Sequence, residues 1–194
     1  MGLLGRLGNM IEYKSQGSEP DIVCFAKALT GGYFPLAVTL TTNDIFNEFL
    51  GDYWAKKQLF HGHTFTGHPV GCTAALTNLD LYERSNLIKK IRLNSISLDK
   101  QLTKFSELEI CYDIRNKGLL CGIELRKENK PIKTIDKMPI SHYIAKESLK
   151  KGIYLRTLGN IISIIPPLAI SEEDLTKIVD TEYEVVEMVQ KKIK

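Results

Sequence analysis

Lys27 closes a continuous apolar run, Asp21-Ile-Val-Cys-Phe-Ala26, and has no acidic partner in its immediate sequence. A lysine at the end of a buried strand must be neutral, paired or covalently occupied, because water no longer solvates its charge. Desolvation lowers the pKa of an amine and leaves a nucleophile able to condense with a carbonyl to an imine. The commoner fate of a strand-end lysine is to snorkel into solvent, and spacing alone leaves both readings open. A second reactive stretch is His61-Gly-His-Thr-Phe-Thr-Gly-His68, followed by Pro69. Hydroxyls and free N–H groups just before a helix can cradle an anion such as phosphate, which draws attention to Gly62, His63 and Thr64. The alternative is an ordinary threonine- and glycine-bearing loop with a helix cap. His61, His63 and His68 share one short loop with no carboxylate or cysteine between them and no known ligand spacing. We therefore expect hydrogen-bonded loop histidines and no metal. A third candidate, Arg156, follows the apolar Ile153-Tyr-Leu155, where a planar guanidinium suits a substrate carboxylate or simply faces solvent. Tyr33, beside the glycine turn, could line the same cavity or only pack.

The elements that must position these groups are legible as patterns. The run ending at Ala26 reads as a strand buried on both faces, Thr30-Gly31-Gly32 as a turn and Leu36–Thr41 as a second strand. Thr42 or Asn43 can cap a short helix with Ile45, Phe46, Phe49 and Leu50 on one face and Gly51 at its end. Pro69 opens a helix running to about Tyr82, and Leu87, Ile88, Ile91, Leu98, Leu102 and Phe105 trace a long second one. Strands are expected where Ile110, Tyr112 and Ile114 alternate, at Leu119–Leu125, at Ile153–Arg156 and at Ile161–Ile165. A helix spans about Ile140–Lys150 and stops before Gly152. Ser171-Glu-Glu-Asp174 is a near-capping box for a last helix that buries Leu175, Ile178, Val179, Tyr183, Val186 and Val189. The domain boundary is expected near residues 86–106, giving 1–95 and 96–194.

Composition excludes some partners. The net charge of +3, from 26 basic and 23 acidic residues, is too balanced to point to nucleic acid or an anionic membrane surface. No apolar stretch approaches the ~20 residues of a membrane span, and no signal peptide is visible. Of the four cysteines, Cys24, Cys72, Cys111 and Cys121, none forms a CxxC pair. We expect them mostly as small buried hydrophobes in a soluble protein of the reducing cytoplasm.

Pro20-Asp-Ile-Val-Cys-Phe-Ala-Lys-Ala-Leu-Thr-Gly-Gly-Tyr-Phe-Pro-Leu36 resembles the lysine segment of class III, fold-type I aminotransferases, which depend on pyridoxal 5'-phosphate. Phe60-His-Gly-His-Thr-Phe-Thr-Gly-His-Pro69 is similar to the cofactor-phosphate segment of the same family. Together with Thr41-Thr42, these words are most similar to members that form 7,8-diaminopelargonate in biotin biosynthesis. Members acting on ornithine or 4-aminobutyrate match them less well. The likeness extends through Gly118–Leu125 and Leu155-Arg156 to Pro166-Pro167. It implies an α/β fold: the C-terminal part of a fold-type I transferase, with a remnant of the large α/β domain and the smaller C-terminal α+β domain.

The resemblance also implies roles. Lys27 would bind the cofactor aldehyde and shuttle the proton during transfer. Thr64 and the backbone around His63 would bind the cofactor phosphate, typically that of a neighbouring subunit in a homodimer. Gly62 would leave room for the keto acid, and Arg156 would hold the carboxylate of 7-keto-8-aminopelargonate. The amino donor would be S-adenosylmethionine or lysine, and Ser163 stands where some relatives carry a tyrosine, which suggests a different donor preference. By the same resemblance the aspartate that binds the pyridine nitrogen falls before Met1. The chain therefore reads as a truncated form that is inactive alone. The competing expectations are an inert association module, or a class III enzyme for another amine.

Overall fold

The computed structural model describes residues 4–193. Two compact units divide them, one made of Leu4 and Asn9–Leu87, the other of Gly5–Gly8 and residues 88–193.

In the first unit a short helix α1 (Glu12–Ser15) precedes strand β1 (Ile22–Ala26), strand β2 (Ala37–Thr41), helix α2 (Asn43–Glu48) and helix α3 (Pro69–Arg84). β1 and β2 form a two-stranded antiparallel ribbon, in register from Ile22 opposite Thr41 to Ala26 opposite Ala37. Strand side chains alternate between faces, and here only one face finds a core. Phe25 is buried with Leu4, Leu29 and Ala75, and Val23, Val38, Leu36 and Leu79 pack against that cluster. Ile22, Cys24 and Ala26 are exposed, so the expectation of a strand covered on both faces is corrected to a one-sided ribbon. The apolar run is continuous, but among the described residues nothing covers its outer face. The cysteine expectation fails for the same reason. Cys24 and Cys72 are exposed and only Cys121 is buried, because being inside an apolar run does not decide which face a residue takes.

Local chemistry sets the ends of these helices. Thr42 caps α2, its Oγ1 accepting a hydrogen bond from the Ile45 N–H at 3.4 Å. Pro69 opens α3 at a position where a missing N–H costs nothing.

The second unit runs through α4 (Leu87–Leu102, from Ile88 on), β3 (Cys111–Lys117), β4 (Leu120–Lys127) and the short strands β5 (Lys130–Pro131), β6 (Thr134–Ile135) and β7 (Met138–Pro139). It continues with α5 (Ile140–Lys150), β8 (Arg156–Leu158), β9 (Ile161–Ile164) and α6 (Glu172–Ile193). An antiparallel sheet has the order β3-β4-β9-β8, with β5 on β4. Its register places Cys121 opposite Ile164 and Ile123 opposite Ile162. These four residues and Leu125 form the buried face, completed by Ile91, Leu98 and Leu102 of α4, Ile140 and Ile144 of α5, and Leu175, Val179, Val185, Val186 and Val189 of α6. Gly118, at φ +63°, turns β3 into β4 against the Arg6 carbonyl, which a Cβ at this position would meet at 2.4 Å. No residue with a side chain fits there.

Two expectations shift within this unit. The strand predicted over 153–156 begins instead at Arg156, because the pairing with β9 starts there, Arg156 opposite Ser163. Residues 153–155 belong to the exit from α5, where the Ile153 N–H donates to the Ser148 carbonyl at 3.0 Å and Gly152 has φ +83°. The capping box at α6 forms in altered shape. The Asp174 N–H donates to Ser171 Oγ at 3.0 Å, while the shorter Asp174 carboxylate accepts from the serine hydroxyl at 2.8 Å. On α6, Ile178 and Tyr183 are only half-buried, whereas Glu182 is fully buried. Its Oε2 accepts from Ser148 Oγ at 3.2 Å and its Oε1 has no partner among the described residues.

Candidate functional site

Lys27 follows the last residue of β1 and opens a 3₁₀ turn, Lys27–Thr30. Its backbone is left-handed, at φ +55°. That conformation is unfavourable for a residue with an ordinary side chain, and such strain persists only where surrounding contacts hold it. The contacts are visible. The Gly32 N–H donates to the Lys27 carbonyl at 3.2 Å, and the Gly31 N–H to that of Ala28 at 3.2 Å, with Gly31 itself left-handed at φ +62°. Thr30 is buried and its hydroxyl donates to the Phe34 carbonyl at 2.6 Å. From α3, the side-chain amide of Asn78 donates to the carbonyls of Ala28 at 2.9 Å and Leu29 at 3.1 Å.

The Lys27 side chain is exposed, the solvent-facing one of the two readings that its spacing left open. β1 does not bury its end here. No hydrogen bond or ion pair ties Lys27 Nζ among the described residues. An amine free of any acidic partner, on a backbone held in a costly conformation, fits a group that offers an aldehyde.

The second stretch lies in the same unit. Thr64–Gly67 form a turn whose closure uses Thr66: its Oγ1 accepts from the His63 N–H at 3.2 Å, and its own N–H donates to the His63 carbonyl at 3.0 Å. Among the described residues this leaves the Thr64 hydroxyl uncommitted, and Gly62, His63 and Thr64 are exposed in the loop that leads to α3. A hydroxyl next to a helix N-terminus is chemically suited to the phosphate of a pyridoxal-type cofactor. His61 and His63 meet edge to face, with centroids 4.9 Å apart, whereas His68 stacks on Phe34 at 5.0 Å. No grouping of side chains able to hold a metal occurs among the described residues.

Arg156 belongs to the other unit. It is exposed, without a partner among the described residues, and directly across the strand pair from Ser163, so both share the face of the sheet opposite the core. Tyr33, the other candidate beside the glycine turn, is 93% exposed. The sequence reading took Thr30 only as a turn residue and missed Asn78. An asparagine inside a helix was the available signal, since its amide competes with the backbone and needs a reason to be there.

The model of the aminotransferase class-III family matches residues 1–185. The chain belongs to the class-III aminotransferases. An adenosylmethionine-8-amino-7-oxononanoate aminotransferase of Methanocaldococcus jannaschii is 42% identical over 190 residues, which make up 94% of this chain and 41% of that protein. The enzyme of the same name from Aquifex aeolicus is 36% identical, over 91% of this chain and 39% of its own length. The crystal structure of the Methanocaldococcus jannaschii enzyme superposes with a TM-score of 0.84 at 41% identity, over 95% of this chain and 43% of that one. The mixed α/β architecture is thus that of the fold-type I aminotransferases, and the chain spans about two fifths of the length of the relatives it matches.

Proposed function

We propose that this chain supplies the lysine-bearing part of a pyridoxal-phosphate-dependent transaminase of biotin biosynthesis. The intact enzyme would convert 7-keto-8-aminopelargonate to 7,8-diaminopelargonate in the cytoplasm, with S-adenosylmethionine or lysine as amino donor. The names carried by the relatives support the substrate. The observation that carries the chemistry is Lys27, an unpartnered amine on a left-handed backbone at the end of β1.

Pyridoxal phosphate, when bound, supplies the electron sink that makes a proton on the substrate carbon labile. The chain's own residues would do the rest. Lys27 Nζ would hold the cofactor at its aldehyde carbon, with loss of water, and as a free amine would carry the proton between the substrate carbon and cofactor C4'. Thr64 Oγ1 and the backbone around His63 would hold the phosphate, in a homodimer that of the neighbouring subunit. Gly62 would leave space for the keto acid, and Arg156 would take its carboxylate in a two-pronged hydrogen bond. Residues 1–95 would belong to the large cofactor domain and 96–194 to the small one. Exposed Trp54 and Phe60, at 82% and 91%, support a partner surface in the first unit.

The test is reductive trapping. Pyridoxal phosphate is added to the purified chain, borohydride fixes any imine, and peptide mass spectrometry locates it. Lys27 should carry most of the label, and Lys27→Arg should abolish that site-specific adduct. Equal labelling of exposed lysines such as Lys56, Lys57 and Lys89 would overturn the proposal.

A further inference from the structure

Asn78 lies in the interior of α3, fifty residues along the chain from the turn it serves. Its Nδ2 has two hydrogens, and the structure gives each a carbonyl: Ala28 at 2.9 Å and Leu29 at 3.1 Å, the two residues directly after Lys27. Within the turn the Ala28 carbonyl already accepts from the Gly31 N–H at 3.2 Å, and the amide adds a second bond there and one to Leu29 from outside the turn. The approach is close. A Cβ on Gly31 would lie 3.0 Å from Asn78 Oδ1, so the absence of a side chain at Gly31 lets the amide lie flat against the turn. On the other side of the turn, Thr30 binds the Phe34 carbonyl and Leu29 is anchored in the apolar cluster with Phe25 and Ala75. Lys27 is thus strained at φ +55° at the head of a turn whose next three residues are each fixed.

We infer that Asn78 is a positioning residue for Lys27: by holding the Ala28 and Leu29 carbonyls it keeps the lysine backbone left-handed and its amine aimed at the carbonyl it condenses with. This rests on the reading of Lys27 as the cofactor-bonding lysine. Asn78 would act through the turn, without itself touching cofactor or substrate. Its effect is on which lysine reacts and how readily, not on the chemistry that follows.

Two readouts on the same chain test it. The first is the carbon-13 chemical-shift signature of left-handed backbone at Lys27, measured without any cofactor. The second is the ratio of Lys27 to Lys89 adducts after pyridoxal phosphate and borohydride, with exposed Lys89 as internal standard. Asn78→Ala improves helix propensity, so its effects cannot be ascribed to a weakened α3. Asn78→Asp keeps the shape but sets a carboxylate against two carbonyls. Thr77→Gly, at an exposed position of the same helix, weakens α3 without touching the turn. In both Asn78 variants the left-handed signature should be lost and the ratio should fall about tenfold, the worth of one to two hydrogen bonds. Thr77→Gly should keep both. If Asn78→Ala retains either the signature or the ratio, or if Thr77→Gly loses them equally, the inference is overturned while the role of Lys27 stands. If the unaltered chain labels Lys27 no better than Lys89, the role of Lys27 fails first and the inference with it.

Discussion

The two units of this chain solve the problem of order in different ways. The second has an antiparallel sheet with one face fully covered, where Ile123, Leu125, Ile162 and Leu175 have no exposed surface. The first has a two-stranded ribbon over a cluster of four buried residues, Leu4, Phe25, Leu29 and Ala75, each retaining some exposure. Yet the candidate lysine is in the first. Its position depends on hydrogen bonds to a single turn, from Thr30, Gly31, Gly32 and Asn78, more than on bulk burial. On the proposed role of Lys27, a reactive side chain would be oriented by a few directional contacts in a region with little core, whereas Arg156 stands on an ordinary strand pair of the better-packed unit.

Core substitutions sharpen this contrast most. Ile123→Ala should destabilise the second unit by about 3 kcal/mol, because its rigid surroundings cannot close the cavity. Leu29→Ala, in a small cluster free to relax, should cost roughly half as much. Urea unfolding followed by hydrogen exchange in each unit reads both, and a Leu29→Ala cost equal to that of Ile123→Ala would erase the distinction.

Next in size is a pH effect confined to the second unit. Burial pushes the Glu182 carboxyl up from 4.5 to about 7, with the Ser148 hydroxyl opposing only partly. The folded state then binds more protons than the unfolded one between pH 4.5 and about 7. Stability contributed by the neutral carboxyl is present below that window and lost across it as pH rises, by roughly 3 kcal/mol in all. Glu182→Gln should flatten this slope and leave the variant more stable than the parent at pH 8. Equal slopes in urea titrations of parent and variant would show that Glu182 is not the group responsible.

The smallest effect is at a helix end of the first unit. Thr42→Ala removes the side-chain cap of α2 and should cost about 1 kcal/mol. Exchange protection of the Ile45 amide should fall with it, and unchanged protection would mean that the 3.4 Å contact contributes nothing.

How much of this could be read from the residues depends on whether the signal was local. Pro69, Thr42, Ser171 and Gly152 mark helix ends by their own backbone chemistry, and the structure places the ends where they stand. Facing was less legible. The apolar run before Lys27 could not disclose that one side of β1 has no neighbour, and Cys24 and Cys72 went with it to the surface. Arg156 was read at the end of a strand and stands at the start of one, because strand boundaries follow the partner's register and not the run itself. Glu182 did have a signal that was missed, since it lies on the apolar stripe of α6 three residues after Val179 and four before Val186, whereas its partner Ser148 on α5 was not legible. At the site, the lysine and the loop were evident as words, whereas the contact that holds the turn joins Asn78 to Ala28 and Leu29 across fifty residues, a distance no local pattern spans.

The ribbon of β1 and β2 has a further consequence for anyone handling this protein. Neither strand has a second neighbour among the described residues, so both outer rims offer rows of unpaired amide and carbonyl groups. Such rims are templates for strand-by-strand assembly. Ile22 and Leu40, both more than half exposed, add greasy contacts along them. At high concentration the purified chain should grow ordered aggregates from this ribbon, and a lysine placed at Ile22 would be the economical way to keep it in solution.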